Sequence, residues 1–482
     1  MLGFRSLLRL LLGLSLLSLV GCIGTEADEE ITAEAAALRG PAFPIRLSAN
    51  RRYLVDRLGV PFLMKEISAW GLIQSMPESE AGEFMDAVKA KGFNTLLVSV
   101  ISNDRRFAGL PPTWSSIFPF LRHWDFSSFN QAYFEHVDRV LRMAQSKGLL
   151  VALVPCYLGF PGDATQGWAD AIRHPENNLS KSLAYGRFIG KRYRSFSNIM
   201  WVAGGDNSAQ GDLRPHLRNV LQGIRQYSFQ LWTGHFDASS GHIFSTDNKD
   251  FASYMDVDGL YAWTEAELGD RGPQYKLELE RYGQGKPIMQ LDQSYEEDKP
   301  YFDDNLDPQW IRRKNYDGLL SGCTGTSFSP GTRDNQLYTF KNWRPLMNTQ
   351  GMLEAKIAFS LFDSRRWHEL VPDVDSRVVT AGRGTFGSRD YACAARTSNG
   401  NTAIVYVPSE RTLTLDMSQI SGGSAVAWWF DPQSGSAYRI GYFPTRGAQS
   451  FTTPDAGDWV LVVDDATRGF FPPGSSRLGY GF

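Results

Sequence analysis

The sequence predicts an α/β chain: a (β/α)8 TIM barrel followed by a small all-β sandwich domain. Three observations carry that expectation. Short apolar or β-branched runs alternate with longer stretches of helical periodicity, the texture of repeated βα units. The rival doubly wound sheet lacks its signature, since no G-x-G-x-x-G follows the first strand and no phosphate-loop motif occurs. After about Leu370 the texture turns to short alternating segments bounded by Gly, Ser, Asn, Asp and Pro.

Taken in order, the chain opens on a targeting segment. Arg5 and Arg9 flank a Leu-rich run from Leu7 to Leu19, too short for a comfortable membrane span but with the charged start and apolar middle of a secretory signal. It ends in Leu19-Val20-Gly21-Cys22, which resembles the lipobox of bacterial lipoproteins. That resemblance implies removal of residues 1–21, acylation of Cys22 and a lipid anchor in the cell envelope, outside the cytoplasm. The alternative is an ordinary signal peptide that happens to contain a cysteine. Residues 22–40 are acidic and Ala-rich and read as a flexible tether.

The barrel is expected over 41–370, with strands at Pro61–Ala69, Phe93–Ile101, Leu149–Leu158, Asn198–Asp206, Gln230–Phe236, Val257–Trp263, Pro287–Asp292 and Thr324–Pro330. Helices are expected at Glu80–Lys91, Phe129–Lys147 and Leu183–Arg194; Lys91-Gly92 and Lys147-Gly148 give two of them a basic last turn and a glycine stop. The sandwich spans 371–465, with strands at Tyr391–Arg396, Thr402–Val407, Ala425–Phe430 and Trp459–Val463, and 466–482 is an irregular tail.

Composition narrows the function classes. The 482 residues are 42% hydrophobic and 21% charged with a net charge of -3, so the chain can build a large core but lacks the basic footprint that nucleic-acid binding requires. Thirteen Trp and nineteen Tyr fit a site that stacks sugar rings, although most such residues simply pack. Cys156, Cys323 and Cys393 have no C-x-x-C spacing and are expected as buried free thiols. No G-x-S-x-G elbow supports a serine hydrolase. No metal and no cofactor is expected; the acidic run Glu296-Glu297-Asp298, with Asp303, Asp304 and Asp307, lacks the spacing of a Ca²⁺ loop.

In a barrel, chemistry sits where the strands end. The fourth strand ends in Gly204-Gly205-Asp206-Asn207 and the seventh in Asp292-Gln293-Ser294-Tyr295-Glu296, placing one carboxylate on each side of the mouth. Glycoside hydrolysis needs such a pair: one group protonates the leaving oxygen and the other, ionised, attacks the anomeric carbon. A strand-end Asp can also merely cap the next helix.

Tyr185-Gly186-Arg187-Phe188-Ile189-Gly190, Arg192-Tyr193 and Asn198-Ile199-Met200-Trp201-Val202 through Gly204-Gly205-Asp206 resemble the apiosidase-like family of bacterial glycoside hydrolases. Arg52–Asp56, Gly92–Thr95, Tyr133–Asp138, Val151–Pro155 and Arg312–Tyr316 match it as well, so the similarity spans nearly the whole mature chain. Members of this family join a barrel to a small β domain labelled collagen-binding. The resemblance implies a retaining glycoside hydrolase acting on a poly- or oligosaccharide, with Asp206 as acid/base and Asp292 as nucleophile. Asp292 stands where the family usually has Glu, which leaves Glu296 as an alternative nucleophile or a substrate contact. Lys65-Glu66 replaces a Gly-Asp pair of the family; Glu66 is then a sugar ligand, and Lys65 a partner for it or for an acidic substrate.

Further substrate contacts are expected from Trp70, Tyr157, Trp168, Asn207, His235, Trp263 and Tyr295, each of which has a packing or loop-anchoring alternative. The competing class is a non-catalytic carbohydrate-binding or adhesion surface lipoprotein built on a degenerate barrel. The distance between the paired carboxylates and the pKa values in the cleft discriminate the two.

Overall fold

A computed structural model of the chain describes residues 40–102, 117–122, 125–163, 166–262, 265–293, 295–297, 307–332, 335–337, 340 and 342–475. The leader, Cys22, nearly all of the tether, Trp263, Asp298, Asp303, Asp304 and the last residues of the tail lie outside them. Among the described residues no helix is long and apolar enough to cross a membrane.

Eight parallel strands form the barrel: β1 (Met64–Ser68), β2 (Thr95–Ser99), β3 (Leu150–Val154), β4 (Ile199–Gly204), β5 (Trp232–His235), β6 (Asp258–Leu260), β7 (Ile288–Gln290) and β8 (Gly325–Phe328). Six of them make one parallel sheet in the order β8-β1-β2-β3-β4-β5. The remaining pair, β6 and β7, closes the ring. Asp256 and Val257 donate to the Trp232 carbonyl at 2.9 and 3.1 Å, and Thr324 N donates to the Ile288 carbonyl at 2.7 Å. Each strand lies inside the segment expected for it.

Strands buried on both faces explain why the sequence shows apolar runs here instead of alternation. The alternation is present but hidden. On β1, Met64 joins the barrel interior with Leu97, Leu150, Ala152, Met200, Val202 and Met289, while Ile67 faces the helix layer. Glu66 and Ser68 share the inward parity of Met64. Lys65 has the other parity and pairs with Asp363, so it neither partners Glu66 nor faces the mouth, as had been expected. A short antiparallel meander (Arg46–Leu47, Leu54–Val55, Pro61–Phe62) packs Ile45, Leu54 and Phe62 into the interior cluster at the end from which the strands start.

The surrounding helices are α1 (Glu78–Ala90), α2 (Gln131–Ser146), α3 (Leu179–Tyr193), α4 (Leu213–Arg225), α5 (Gln274–Arg281), α6 (Pro308–Leu320) and α7 (Gln350–Asp363). Between β5 and β6 the crossover carries two 3₁₀ turns, Ala238–Ser240 and Ala252–Tyr254, in place of an α-helix. The segment is rich in Asp, Ser, Gly and Asn, whose side chains compete for backbone hydrogen bonds; Asp237 caps the first turn by accepting from Ser239 N at 2.9 Å.

The C-terminal module has nine strands: β9 (Leu370–Pro372), β10 (Val379–Ala381), β11 (Ala394–Thr397), β12 (Thr402–Val407), β13 (Thr412–Asp416), β14 (Ser424–Phe430), β15 (Ala437–Pro444), β16 (Ala448–Thr452) and β17 (Trp459–Asp465). They form an antiparallel six-stranded sheet, β9-β11-β12-β17-β14-β15, facing a three-stranded sheet, β10-β13-β16. Both faces of the larger sheet are covered. Val405, Leu461 and Val463 face the small sheet, whereas Ile404, Tyr406, Val460 and Val462 pack on Tyr316, Leu320 and Phe362 of α6 and α7.

Buried ion pairs cross that contact. Arg365 at the end of α7 holds Asp464 of β17 through two bonds of 3.0 and 2.7 Å, and Arg312 of α6 holds Asp458, which also accepts from the Tyr406 hydroxyl at 2.7 Å. The tail begins by folding back, with Gly474 N donating to Ser364 Oγ. Cys156, Cys323 and Cys393 are free and buried.

Removing one partner of such a pair strands a buried charge, at a cost of about 3–5 kcal/mol. Arg365→Ala is therefore expected to lower stability by that amount in a urea titration followed by tryptophan fluorescence, while Arg377→Ala, on an exposed pair, shifts the midpoint little.

Candidate active site

Asp206 and Asp292 follow the ends of β4 and β7 in the left-handed backbone region, at φ 55° and 52°. Ordinary side chains avoid that region, and holding them there costs about 1–3 kcal/mol each. Gly204 and Gly205, at φ 92° and 94°, prepare the first of these turns. A Cβ on Gly204 would stand 2.5 Å from the His235 carbonyl oxygen, and one on Gly205 would stand 2.6 Å from the Tyr157 ring. The glycines therefore let the β3 loop and the end of β5 close on the Asp206 turn.

His235, fully buried at the end of β5, lies between the two carboxylates. The backbone N–H of Asp206 donates to its Nδ1 at 3.0 Å, so that nitrogen accepts and the ring proton sits on Nε2. Nε2 in turn donates to Asp292 Oδ2 at 3.1 Å. Tyr261 lies over the imidazole, tilted by 32° with centroids 3.7 Å apart, and the Trp70 ring meets it edge-on at 5.1 Å.

The other oxygen of Asp292 accepts from Ser68 Oγ at 2.5 Å and from the Tyr295 hydroxyl at 2.6 Å. Burial alone would push this carboxyl up, but the hydrogen bonds from His235, Ser68 and Tyr295 outweigh it and hold the group below the ordinary Asp value. Asp292 is thus an ionised carboxylate in a nearly closed site. Asp206 is more open, its side chain 16% exposed against 5% for Asp292, and it accepts from the Tyr157 hydroxyl at 2.5 Å. One oxygen of Asp206, one of Asp292 and a nitrogen of His235 all lie within 4.8 Å of one another. These three groups have the composition of a metal cradle, but one imidazole nitrogen is accepting a hydrogen bond and the other carries the proton given to Asp292.

Glu66 is fully buried beneath Asp292, where its Oε2 accepts the Asp292 backbone N–H at 3.1 Å. Burial and the adjacent Asp292 carboxylate push its pKa up to about 8. Glu66, expected as a sugar ligand, is placed here with its oxygens on the Asp292 backbone and Ser68, where it supports the residue above it. Glu296 also turns away from the mouth. Its Oε1 accepts the Gly351 N–H at 2.7 Å at the start of α7, so it caps a helix whose N-terminal N–H groups lack intrahelical partners.

Trp168 packs edge-on against Phe120 and Phe126 at 5.6 and 5.5 Å, anchoring a loop within the helix-layer core. Asn207 pins the loops together, donating to the Gly159 carbonyl at 3.0 Å and accepting from Ala209 N at 2.8 Å. The structure therefore gathers Trp70, Tyr157, Asp206, His235, Asp292 and Tyr295 around one mouth, with Glu66 below it, and keeps Trp168, Asn207 and Glu296 for packing and bracing. Sequence reasoning missed Ser68 and Tyr261. Ser68 was findable, because it stands two residues from Glu66 on one strand and so shares its face.

Residues 48–369 match the family model described as "Apiosidase-like, catalytic domain". The chain belongs to the apiosidase-like family. Residues 371–464 match a model described as "Putative collagen-binding domain of a collagenase". Among solved structures, one titled "Glycoside hydrolase" is similar at 24% identity and a TM-score of 0.72, covering 89% of this chain and 100% of its own. A glycoside hydrolase family 5 protein from Bacteroides vulgatus ATCC 8482 is similar at 22% identity and a TM-score of 0.73, covering 90% of this chain and 96% of its own. No curated protein matches the sequence. The barrel of this apiosidase-like chain thus has the fold of glycoside hydrolases, and the carboxylate pair occupies its mouth.

Because Asp292 is held below its ordinary value of 3.8, the acid limb of kcat/KM for this apiosidase-like protein is expected below pH 4. Tyr295→Phe and Ser68→Ala each remove a donor to that carboxylate and are expected to move the limb upward in a pH–rate series.

Proposed function

We propose that this glycoside hydrolase cleaves a glycosidic bond in a poly- or oligosaccharide with retention of anomeric configuration. The observation that carries the reading is the gap between the carboxylates: oxygens of Asp206 and Asp292 come within 4.8 Å. Retaining enzymes hold the pair about 5–5.5 Å apart, and inverting enzymes leave about 6.5–9.5 Å to admit a water.

In the first step the Asp292 carboxylate attacks the anomeric carbon, the bond from that carbon to the leaving oxygen breaks, and Asp206 gives its proton to that oxygen. A glycosyl ester on Asp292 results. In the second step Asp206, now ionised, takes a proton from water as the water oxygen attacks the anomeric carbon. The ester bond breaks, Asp292 returns to carboxylate and Asp206 regains its proton. The environment of Asp292 suits its role, since it is buried, hydrogen-bonded and ionised, and Asp206 is the more exposed of the two groups. His235, fixed by both, keeps the two carboxylates in register. Trp70 and Tyr157, with ring centroids 5.0 Å apart, supply aromatic surface at the base of the cleft. With Cys22 acylated as its motif suggests, the enzyme would meet glycans outside the cytoplasm.

The test is sugar release from a panel of plant and bacterial glycans by residues 23–482, with Asp206→Asn and Asp292→Asn alongside. Release by the parent is expected, with Asp206→Asn slower by about 10²–10⁴-fold and Asp292→Asn at least as impaired. Binding without release across the panel would favour the adhesion reading instead.

A further inference from the structure

Glu66 has no task in the double displacement, yet it is fully buried against the residue that carries the displacement. The groups around it come from three strands. Ser68 shares β1 with it, the Asp292 backbone approaches from β7, and Ser327 from β8 also hydrogen-bonds to it. Tyr295 meets the same Asp292 oxygen as Ser68 and hydrogen-bonds to Ser68 as well, His235 stands on the other oxygen of Asp292, and Lys65 turns outward to Asp363.

Ser68 decides the protonation. Its Oγ is 2.5 Å from Asp292 Oδ1 and 3.2 Å from Glu66 Oε1, and a hydroxyl has one proton for two carboxyl neighbours. The shorter contact takes it, because Asp292 is ionised. The link between Ser68 and Glu66 then needs a second hydrogen, which the Glu66 carboxyl can carry. Resting on the assignment of Asp292 as nucleophile, we propose that Glu66 works as a neutral carboxylic acid that positions it. Its Oε1–H donates to Ser68 Oγ, Ser68 donates to Asp292 Oδ1, and Glu66 Oε2 accepts the Asp292 N–H. One side chain thereby fixes both the carboxylate and the left-handed backbone of the nucleophile. A pKa pushed up to about 8 agrees with that state at neutral pH.

Glutamine reproduces the neutral acid: its amide N–H can donate to Ser68 while its oxygen accepts from Asp292 N. Aspartate is too short to make both bonds. The experiment compares wild type, Glu66→Gln and Glu66→Asp. In the infrared difference between wild type and Glu66→Gln at pH 7, a carbonyl band of a protonated carboxylic acid is expected, fading as pH rises through about 8. Because the folded-state pKa lies above the ordinary glutamate value of 4.5, the stability Glu66 contributes is full below 4.5 and lost as pH rises toward 8. The melting temperature of Glu66→Gln relative to wild type should therefore climb between pH 5 and 8. On a glycan the wild type cleaves, Glu66→Gln should keep kcat/KM within about threefold, while Glu66→Asp falls by about tenfold or more.

Absence of the difference band overturns the proposal, and so does a folded Glu66→Gln as inactive as Asp292→Asn, which would mean the charge itself is needed. Should Asp292→Asn remain active, the nucleophile assignment fails, and the infrared and melting results still decide whether Glu66 carries a proton.

Discussion

A single imidazole ties the two halves of the mouth together, and much of the surrounding geometry exists to let it do so. His235 accepts from the Asp206 backbone on one nitrogen and donates to Asp292 on the other, so its tautomer, ring plane and depth are all fixed by the residues it spans. The glycines before Asp206 matter because a side chain at Gly204 would collide with the His235 carbonyl. Tyr261 and Trp70 hold the ring from two directions. Two carboxylates this close repel one another if both are charged. The arrangement resolves the conflict by giving Asp292 three donors and leaving Asp206 with greater exposure.

The helix α7 links this mouth to the C-terminal module. Its first turn is capped by Glu296, close in sequence to Asp292; Asp363 at its last turn takes Lys65 of β1, and Arg365 just beyond holds Asp464 of the β module. The six-stranded sheet lies between the barrel helices and its own small sheet, which makes it part of the core on both faces. The β module is thus built into the catalytic unit through buried charge pairs, whatever else it binds.

What the sequence made legible follows from what is local. The eight strands could be read because each is a short apolar run between helical stretches, and Asp206 and Asp292 because they stand at strand ends. The supporting set could not be read, since its contacts join residues far apart in the chain: Ser68 meets Asp292 across 224 positions and Glu66 meets Asp292 across 226. Nothing local says that Glu66 is buried below the mouth while the equally acidic Glu296 caps a helix. Trp168 and Asn207 share the strand-end neighbourhood of true mouth residues, but loop packing turned them elsewhere. Lys65 was misplaced for a simpler reason, because strand parity sends it to the opposite face from Glu66.

The stereochemical course of the reaction separates a double displacement from a single one. Proton NMR of the first sugar released from a cleaved substrate, recorded before mutarotation, reads it directly. Two displacements at one carbon, the first by Asp292 and the second by water, predict a product with the anomeric configuration of the substrate. An inverted product would mean a water stands between the carboxylates, and the assignment of Asp292 as a nucleophile within 4.8 Å of Asp206 would be wrong.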